Sequence, residues 1–391
     1  MKLVPSLFAT SAVAAVLCTG CSDSAKDQKA EAVAGSKSEA QAAEAEKPVS
    51  KLADAIGGEL HIYTWSDYIA PELIEKFETL QDCKVVIDTF DSNEAMYAKI
   101  KAGGAGYDIL MPSSYLVATM AREGLIVKLD HAKMPNVKKN FDSSFATQII
   151  DPTFEYNVPY AVTYTGFCYD RTKIPEDVDV RTWKVLENPA FRGKVTLLDD
   201  MREVIGAGLM SLGYPLNSKN PAEIEAAVAQ VLKWKANVRK FDAESYKTEV
   251  PAGATWIGHG YSTDTTQVIN GDEEAGVAPC ERIGFALPME GYSIAFDEMV
   301  ISAKAPNPAL AYAFIDFLYE GTNAAANMDY IQGPNPVKPA IEALDEELRD
   351  QIILDEETIK AGQVILPIDD DPVAMELYTK AWDKIKATSA N

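Results

Sequence analysis

The sequence predicts an α/β protein built as two lobes. Strand and helix signals alternate from residue 59 onward, and the alternation restarts near residue 194. A chain of 391 residues is long enough for two separate cores. Apolar residues at 47% and charged residues at 24% are ordinary for a folded protein and exclude global disorder.

Each element has a local reason. Glu59–Thr64 alternates polar and apolar residues as a strand does, and Pro71 opens a helix toward Leu80, its ring preformed for the first turn. Val85-Val86-Ile87 is β-branched, and Asp91 and Ser92 are candidate caps for a helix through Lys101. Gly103–Gly106 turns the chain into Tyr107–Met111, a third short strand, so the first unit should carry a mostly parallel sheet with helices on both faces. In the second unit Lys194–Leu198 reads as a strand, Met201–Leu212 as a helix closed by Gly213, and Pro221–Trp234 as another helix. Ala254–Gly258 and Ile283–Leu287 are further strands, 292–302 is extended, and Asn307-Pro308 caps a helix through Tyr319.

Charge and motif content remove several functions. With 36 Lys+Arg against 59 Asp+Glu the formal charge is -23, which argues against nucleic acid, whose binding needs basic patches that release counterions. Three His without paired spacing argue against a His-based metal centre or triad, so no metal or cofactor is expected. Gly103–Gly106 lacks the Lys and Ser/Thr of a phosphate-binding loop and is a turn. A hydrolase using Asp/Glu pairs stays open as the enzyme rival, although no nucleophile elbow or HExxH is present.

The first twenty residues read as an export signal. Lys2 supplies the positive start, and Leu7–Leu17 is an apolar run too short to span a bilayer. Leu17-Cys18-Thr19-Gly20-Cys21 resembles a bacterial lipobox, which implies that Cys21 is acylated after removal of residues 1–20. Residues 21–58 are then the lipidated cysteine and a flexible tether, since Ser22–Ser50 has almost no large apolar residue to offset ordering entropy. Cys83, Cys168 and Cys280 remain in the folded body and allow at most one internal disulfide.

Binding chemistry should sit in the loops after strands, where open α/β sheets hold their ligands. Tyr63–Tyr68 places Trp65 and Tyr68 around Ser66 and Asp67, and Met111–Tyr115 places Ser113, Ser114 and Tyr115 after the third strand. One of those serines is expected to cap the following helix. Leu198–Glu203 starts a helix with three acids; a helix dipole favours such acids by about 0.3–1 kcal/mol, and Asp199 or Asp200 suffices for that, leaving Glu203 for a cation. Asp297 and Glu298 interrupt an apolar extended run and need partners if buried. His259–Asp264 adds Tyr261 and Asp264. Aromatics alternating with acids and hydroxyls suit an extended flexible cation, the acids binding ammonium groups and the rings contributing cation–π contact.

Phe90-Asp91-Ser92-Asn93-Glu94-Ala95-Met96, Tyr107–Ser113, Leu198–Val204 and Asn323–Tyr330, in that order, resemble the bacterial spermidine/putrescine-binding proteins of polyamine ABC transporters. The resemblance runs from about residue 59 to the end. It implies a two-lobed periplasmic binding protein fold of the flytrap type, with the ligand in the interlobe cleft. Chain crossings would fall near Pro159–Thr163, Ala295–Asp297 and Ala340, giving lobes of 59–162 plus 297–340 and of 163–296 plus 341–391.

Carried over by position, the resemblance makes Trp65 and Tyr68 stacking aromatics, with Ser66 and Asp67 between them and Ser113, Ser114 and Tyr115 in a second pocket loop. It makes Glu203 and Asp297 amine-binding carboxylates, and Asp264 another if two residues are inserted around Gly260. Three aromatics depart: Tyr261 replaces a Trp, Ala295 replaces Trp or Phe, and Gly333 replaces a Tyr. At about 0.5–2 kcal/mol per cation–π contact, two such losses would cost tens-fold in affinity. The implied function is a periplasmic, lipid-anchored monomer that captures a polyamine for an inner-membrane ABC permease and its ATPase, without a cofactor and touching the membrane only through its lipid. Rival readings are a binder of another small cation, such as a guanidino compound or basic amino acid, and a polyamine sensor.

Overall fold

The computed structural model describes residues 52–90, 92–271, 277–368 and 371–388. The expected signal, the acylated Cys21, most of the tether and the candidate cap Asp91 lie outside the described residues.

The first unit follows the expected order. Strand β1 (Gly58–Thr64) pairs in parallel with β2 (Cys83–Thr89) and with β3 (Ile109–Leu110). Helix Pro71–Gln81 starts on its proline, and helix Asn93–Lys101 starts on Ser92, whose side chain accepts from the Ala95 N–H. Two long strands then dominate. The thirteen residues of β4 (Val158–Asp170) were legible only as a crossing segment, and β9 (Tyr292–Ile301) is the extended run expected at 292–302.

The other strands are β5 (Val195–Leu197), β6 (Val238–Phe241), β7 (Ile257–Tyr261), β8 (Ile283–Ala286) and β10 (Gly362–Val364). They form one sheet in the order β2-β1-β3-β9-β4-β7-β5-β6, with β8 on β4 and β10 on β9. The first half of β4 pairs antiparallel with β9, from Val158 opposite Met299 to Tyr164 opposite Ile294. Its second half pairs instead with β7 and β8. These two strands therefore run through both halves of the molecule and fix where the site can form.

Strand β7 begins three residues later than the sequence suggests. The amides of Ala254 and Thr255 are used by Glu249 O at 2.9 and 3.3 Å, after Gly253 turns the chain at φ 74°. The strand consequently ends on Tyr261, and the helix Ser262–Asn270 starts at once. A second irregularity matters more. The β4–β9 register shifts between Pro159 and Ala161, because proline has no N–H to offer the ladder. The extra residue, Tyr160, donates its hydroxyl to Tyr68 O and packs its ring 5.1 Å from that of Tyr68.

The buried side chains gather in separate clusters. One gathers Leu60, Ile62, Leu73, Phe77, Met299, Phe314 and Met328; another gathers Phe167, Trp183, Trp234, Ile257 and Tyr378. A smaller cluster, including Val162, Tyr164, Ile294 and Phe296, lies along the paired strands. The helices Lys338–Ala343 and Glu346–Ile352 place Ala340, Leu344, Leu348 and Ile352 in the first cluster. That is beyond the boundary expected at Ala340. The helix Pro372–Ala387, for which the sequence reading had no signal, seats Ala374, Tyr378, Ala381 and Ile385 in the second cluster. Among the described residues no helix is long and apolar enough to cross a membrane.

His259 is 1% exposed, its ring 5.4 Å from Trp183, and neither ring nitrogen has a hydrogen-bond partner. Burial pushes its pKa from 6.5 down to about 3. The neutral ring fits the fold while the unfolded chain takes up a proton, so this group's stabilising margin is whole above about pH 6.5 and is lost as pH falls toward about 3. His259→Leu is expected to remove about 2–3 kcal/mol of the stability lost between pH 7 and pH 4.5, read by chemical denaturation at both values.

Candidate functional site

Asp297 leaves β9 beside the loop after β3, to which it is joined by an isolated bridge with Ser113. Tyr68 donates its hydroxyl to Asp297 Oδ2 at 2.5 Å, and Ser113 donates to Oδ1 at 2.6 Å. Ser113 is itself held by Asn93, whose amide donates to Ser113 Oγ at 3.0 Å and accepts the Ser113 N–H at 3.0 Å. Burial raises the Asp297 carboxyl above the ordinary range, and the two hydroxyls oppose the rise.

Glu203 stands in the first turn of the helix Met201–Ser211 and is 5% exposed. Asp200 caps that helix, accepting the N–H groups of Arg202 and Glu203 at 2.7 and 2.9 Å, which frees the Glu203 side chain from capping. Thr165 of β4 donates to Glu203 Oε1 at 3.1 Å, and Ser293 of β9 donates to Oε2 at 2.6 Å. Arg202 directs its guanidinium elsewhere, to Leu366 O, Asn217 Oδ1 and the face of Tyr378. Burial, then the charge of Asp200, pushes Glu203 from 4.5 up to about 7, against the pull of its hydroxyls and Arg202. Two carboxylates thus lie against the same pair of strands, each met by hydroxyls, and among the described residues neither forms an ion pair. Chemically, each carboxylate is held by hydroxyl donors and not by a salt bridge.

The remaining sequence candidates divide. Tyr68 feels the charges of both Asp297 and Asp264, and Tyr261 those of Glu203, Asp200 and Asp264, although burial is the larger cause of both raised phenols. These loops therefore converge. Trp65 is half-buried, edge-on to Phe90 at 4.5 Å, with its indole N–H buried and unpartnered. Ser66 and Asp67 are exposed; Asp67 takes φ 51° and turns the chain so that Tyr68 reaches Asp297. Tyr115 is half-buried in the following helix.

Ser114 points the other way. It is buried, 2.5 Å from Glu298 Oε1 and 3.0 Å from Phe296 O, so it ties the loop to β9 and does not face Asp297. Asp264 already has company: Tyr246 donates to its Oδ2 at 2.5 Å and the Lys247 ammonium is 3.7 Å from the same oxygen. Gly333 also has a reason in packing. A Cβ there would stand 2.3 Å from Thr263 Cγ2, so no aromatic fits this arrangement. The close approach lets Gln267 donate to Ile331 O at 3.3 Å and Asn270 to Gln332.

Sequence reasoning missed Asn93, Thr165, Ser293, Tyr246 and Lys247. Asn93 lies within a stretch that carried the resemblance, but its pairing with Ser113 spans twenty residues. The external hollows beside Lys76 and Glu320, and beside His131 and Lys138, share no lining residue with the carboxylate cluster. Among the described residues no group of three or more His, Cys, Asp or Glu is placed to hold a metal ion.

Residues 72–353 match the family described as bacterial extracellular solute-binding protein. The chain belongs to that family. Membership makes it an extracytoplasmic solute-binding protein of the kind that serves ABC transporters, and sets the hydrolase rival aside. It is 34% identical over 295 residues to the putrescine/cadaverine-binding protein of Pseudomonas aeruginosa, covering 74% of this chain and 82% of that protein. The spermidine/putrescine transporter substrate-binding protein of Streptococcus pneumoniae superposes with a TM-score of 0.77 at 34% identity, over 84% of this chain and 98% of its own. A lipoprotein of Treponema pallidum superposes with a TM-score of 0.74 at 30% identity, over 84% and 99% of the two chains. The α/β fold is therefore the two-lobed one expected of periplasmic binding proteins.

Raising the Glu203 carboxyl to about 7 makes its ionisation costly to the fold. Glu203 favours the fold fully below about pH 4.5 and loses that contribution as pH rises to about 7. Glu203→Gln is expected to stabilise the ligand-free protein by up to about 3 kcal/mol at pH 8 and hardly at all at pH 4.5, checked by thermal and denaturant unfolding.

Proposed function

We propose that this solute-binding protein captures a polyamine of the putrescine or spermidine class between its lobes and delivers it to an inner-membrane permease driven by a separate ATPase. One observation carries the reading: Glu203 is buried and Asp297 half-buried, and each carboxylate is met by hydroxyls with no ion-pair partner among the described residues. Buried carboxylates are costly without a cation, so an arriving ammonium relieves an electrostatic deficit as well as making charge-assisted hydrogen bonds. Tyr68, Trp65 and Tyr261 supply ring faces for the methylene chain and for cation–π contact. Ser66, Asp67 and Tyr115 border the same loops, and Ser114 and Asp264 act through Glu298 and Lys247. The relatives named for putrescine, cadaverine and spermidine support this ligand class.

Of the described residues, the first lobe comprises those within 59–162 and 297–352, and the second those within 163–296 and 362–388, the third crossing falling where β10 joins β9. Closure by hinge bending along β4 and β9 brings Asp297 and Glu203 onto one ligand. Cys21 carries the lipid anchor, which holds a monomer at the membrane through residues 21–58, in line with the lipoprotein relative. Scavenging needs micromolar affinity or better, about -8 kcal/mol, which two ammonium–carboxylate contacts and aromatic burial can supply.

Calorimetric titration with putrescine, spermidine, spermine, cadaverine, agmatine and arginine tests the reading. Saturable binding of a polyamine at about micromolar concentration is expected, and no polyamine binding below about millimolar would refute it. Asp297→Asn is expected to weaken that binding at least about a hundredfold, since it removes one partner of a desolvated charge pair.

A further inference from the structure

Asp264 differs from the other two carboxylates of the cleft. The short helix Tyr246–Glu249 turns two side chains toward it: Tyr246 donates to Oδ2 at 2.5 Å, and Lys247 places its ammonium 3.7 Å from the same atom. Lys247 also lies 2.5 Å from Glu244 Oε2, an exposed carboxylate that helps keep the ammonium on this side of the helix. Lys247 is one-third exposed and Asp264 one-fifth, so the pair sits at the rim of buried space and not out in solvent. Asp297 and Glu203, by contrast, have hydroxyl partners and no ion pair among the described residues.

A lysine head group is a primary ammonium on a chain of four methylenes. In charge, donor number and stem it is half of a diamine. It therefore does to Asp264 what a polyamine end group would do, from within the protein.

We propose that Lys247 is a specificity-determining residue: its ammonium fills the Asp264 end of the cleft, leaves two open carboxylates, and thereby favours diamines over triamines. The inference rests on the polyamine reading of the same site. A diamine has one ammonium each for Asp297 and Glu203. A third ammonium brought toward Asp264 meets the Lys247 ammonium at short range, or must displace it from its place between Asp264 and Glu244. Either course weakens the longer ligand relative to the shorter one.

The test is calorimetry of putrescine and spermidine with the purified protein and three variants. The parent protein should bind putrescine more tightly than spermidine. Lys247→Gln should shift the affinity ratio toward spermidine by about tenfold, because Asp264 becomes an open anchor, whereas Lys247→Arg should leave the ratio within about twofold. Asp264→Asn, which keeps the acceptor for Tyr246, should change putrescine affinity by less than about threefold, in contrast to Asp297→Asn. An unchanged ratio in Lys247→Gln overturns the inference, as does an Asp264→Asn loss as large as that of Asp297→Asn. Those failures would leave putrescine binding by the parent intact; failure of the parent to bind any polyamine would instead overturn the reading of the site.

Discussion

The candidate site depends on a half-buried carboxylate given hydroxyls in place of an ion-pair partner. Asp297 is presented by β9, and the next residue, Glu298, points to the other face and is fully buried. Burial pushes Glu298 up to about 7 against the pull of Ser114 and Asn157. Through Ser114 and the Glu298 N–H bond to Pro112 O at 2.8 Å, the strand grips the loop that supplies Ser113. The position of the Asp297 carboxylate is thus inherited from a strand that pairs with both β3 and β4. Its partner β4 completes the arrangement: the register shift at Pro159 aims Tyr160 at Tyr68, and Tyr68 at Asp297.

Charge operates at two ranges. The overall -23 raises the local concentration of cations but selects nothing. In the proposed reading, selection comes from acids that meet hydroxyls without an ion pair and lie where a ligand can reach them, which fully buried Glu298 does not. Asp170 is tied to Arg282, Asp264 to Lys247, and many surface acids to nearby lysines, while Asp297 and Glu203 are left to hydroxyls. Hydroxyls suit this task because they stabilise a carboxylate enough to be buried yet can yield to a stronger donor.

Much of this was visible in the chain itself, for reasons of range. Helix starts at Pro71, Pro221 and Pro308 and the cap Ser92 are local chemistry, and they stand where the sequence put them. Asp297 and Glu203 stood out because acids in an apolar run and at a helix start beyond the cap need an explanation. Local signals could not show that Ser114 turns toward Glu298 or that Lys247 reaches Asp264, because strand register and helix placement set both. Strand β4 escaped for a related reason: a run from Val158 to Asp170 containing a proline reads as a connection until β9 pairs with it. That the helices after Ala340 pack with Phe77 and Met328 was not legible either, because what a helix buries is settled by tertiary packing.

A crystal structure of the protein with putrescine tests the central claim most directly. The account predicts one ammonium within hydrogen-bond distance of Asp297, the other at Glu203, and Lys247 still facing Asp264. Putrescine bound with neither ammonium at Asp297 or Glu203 would contradict it.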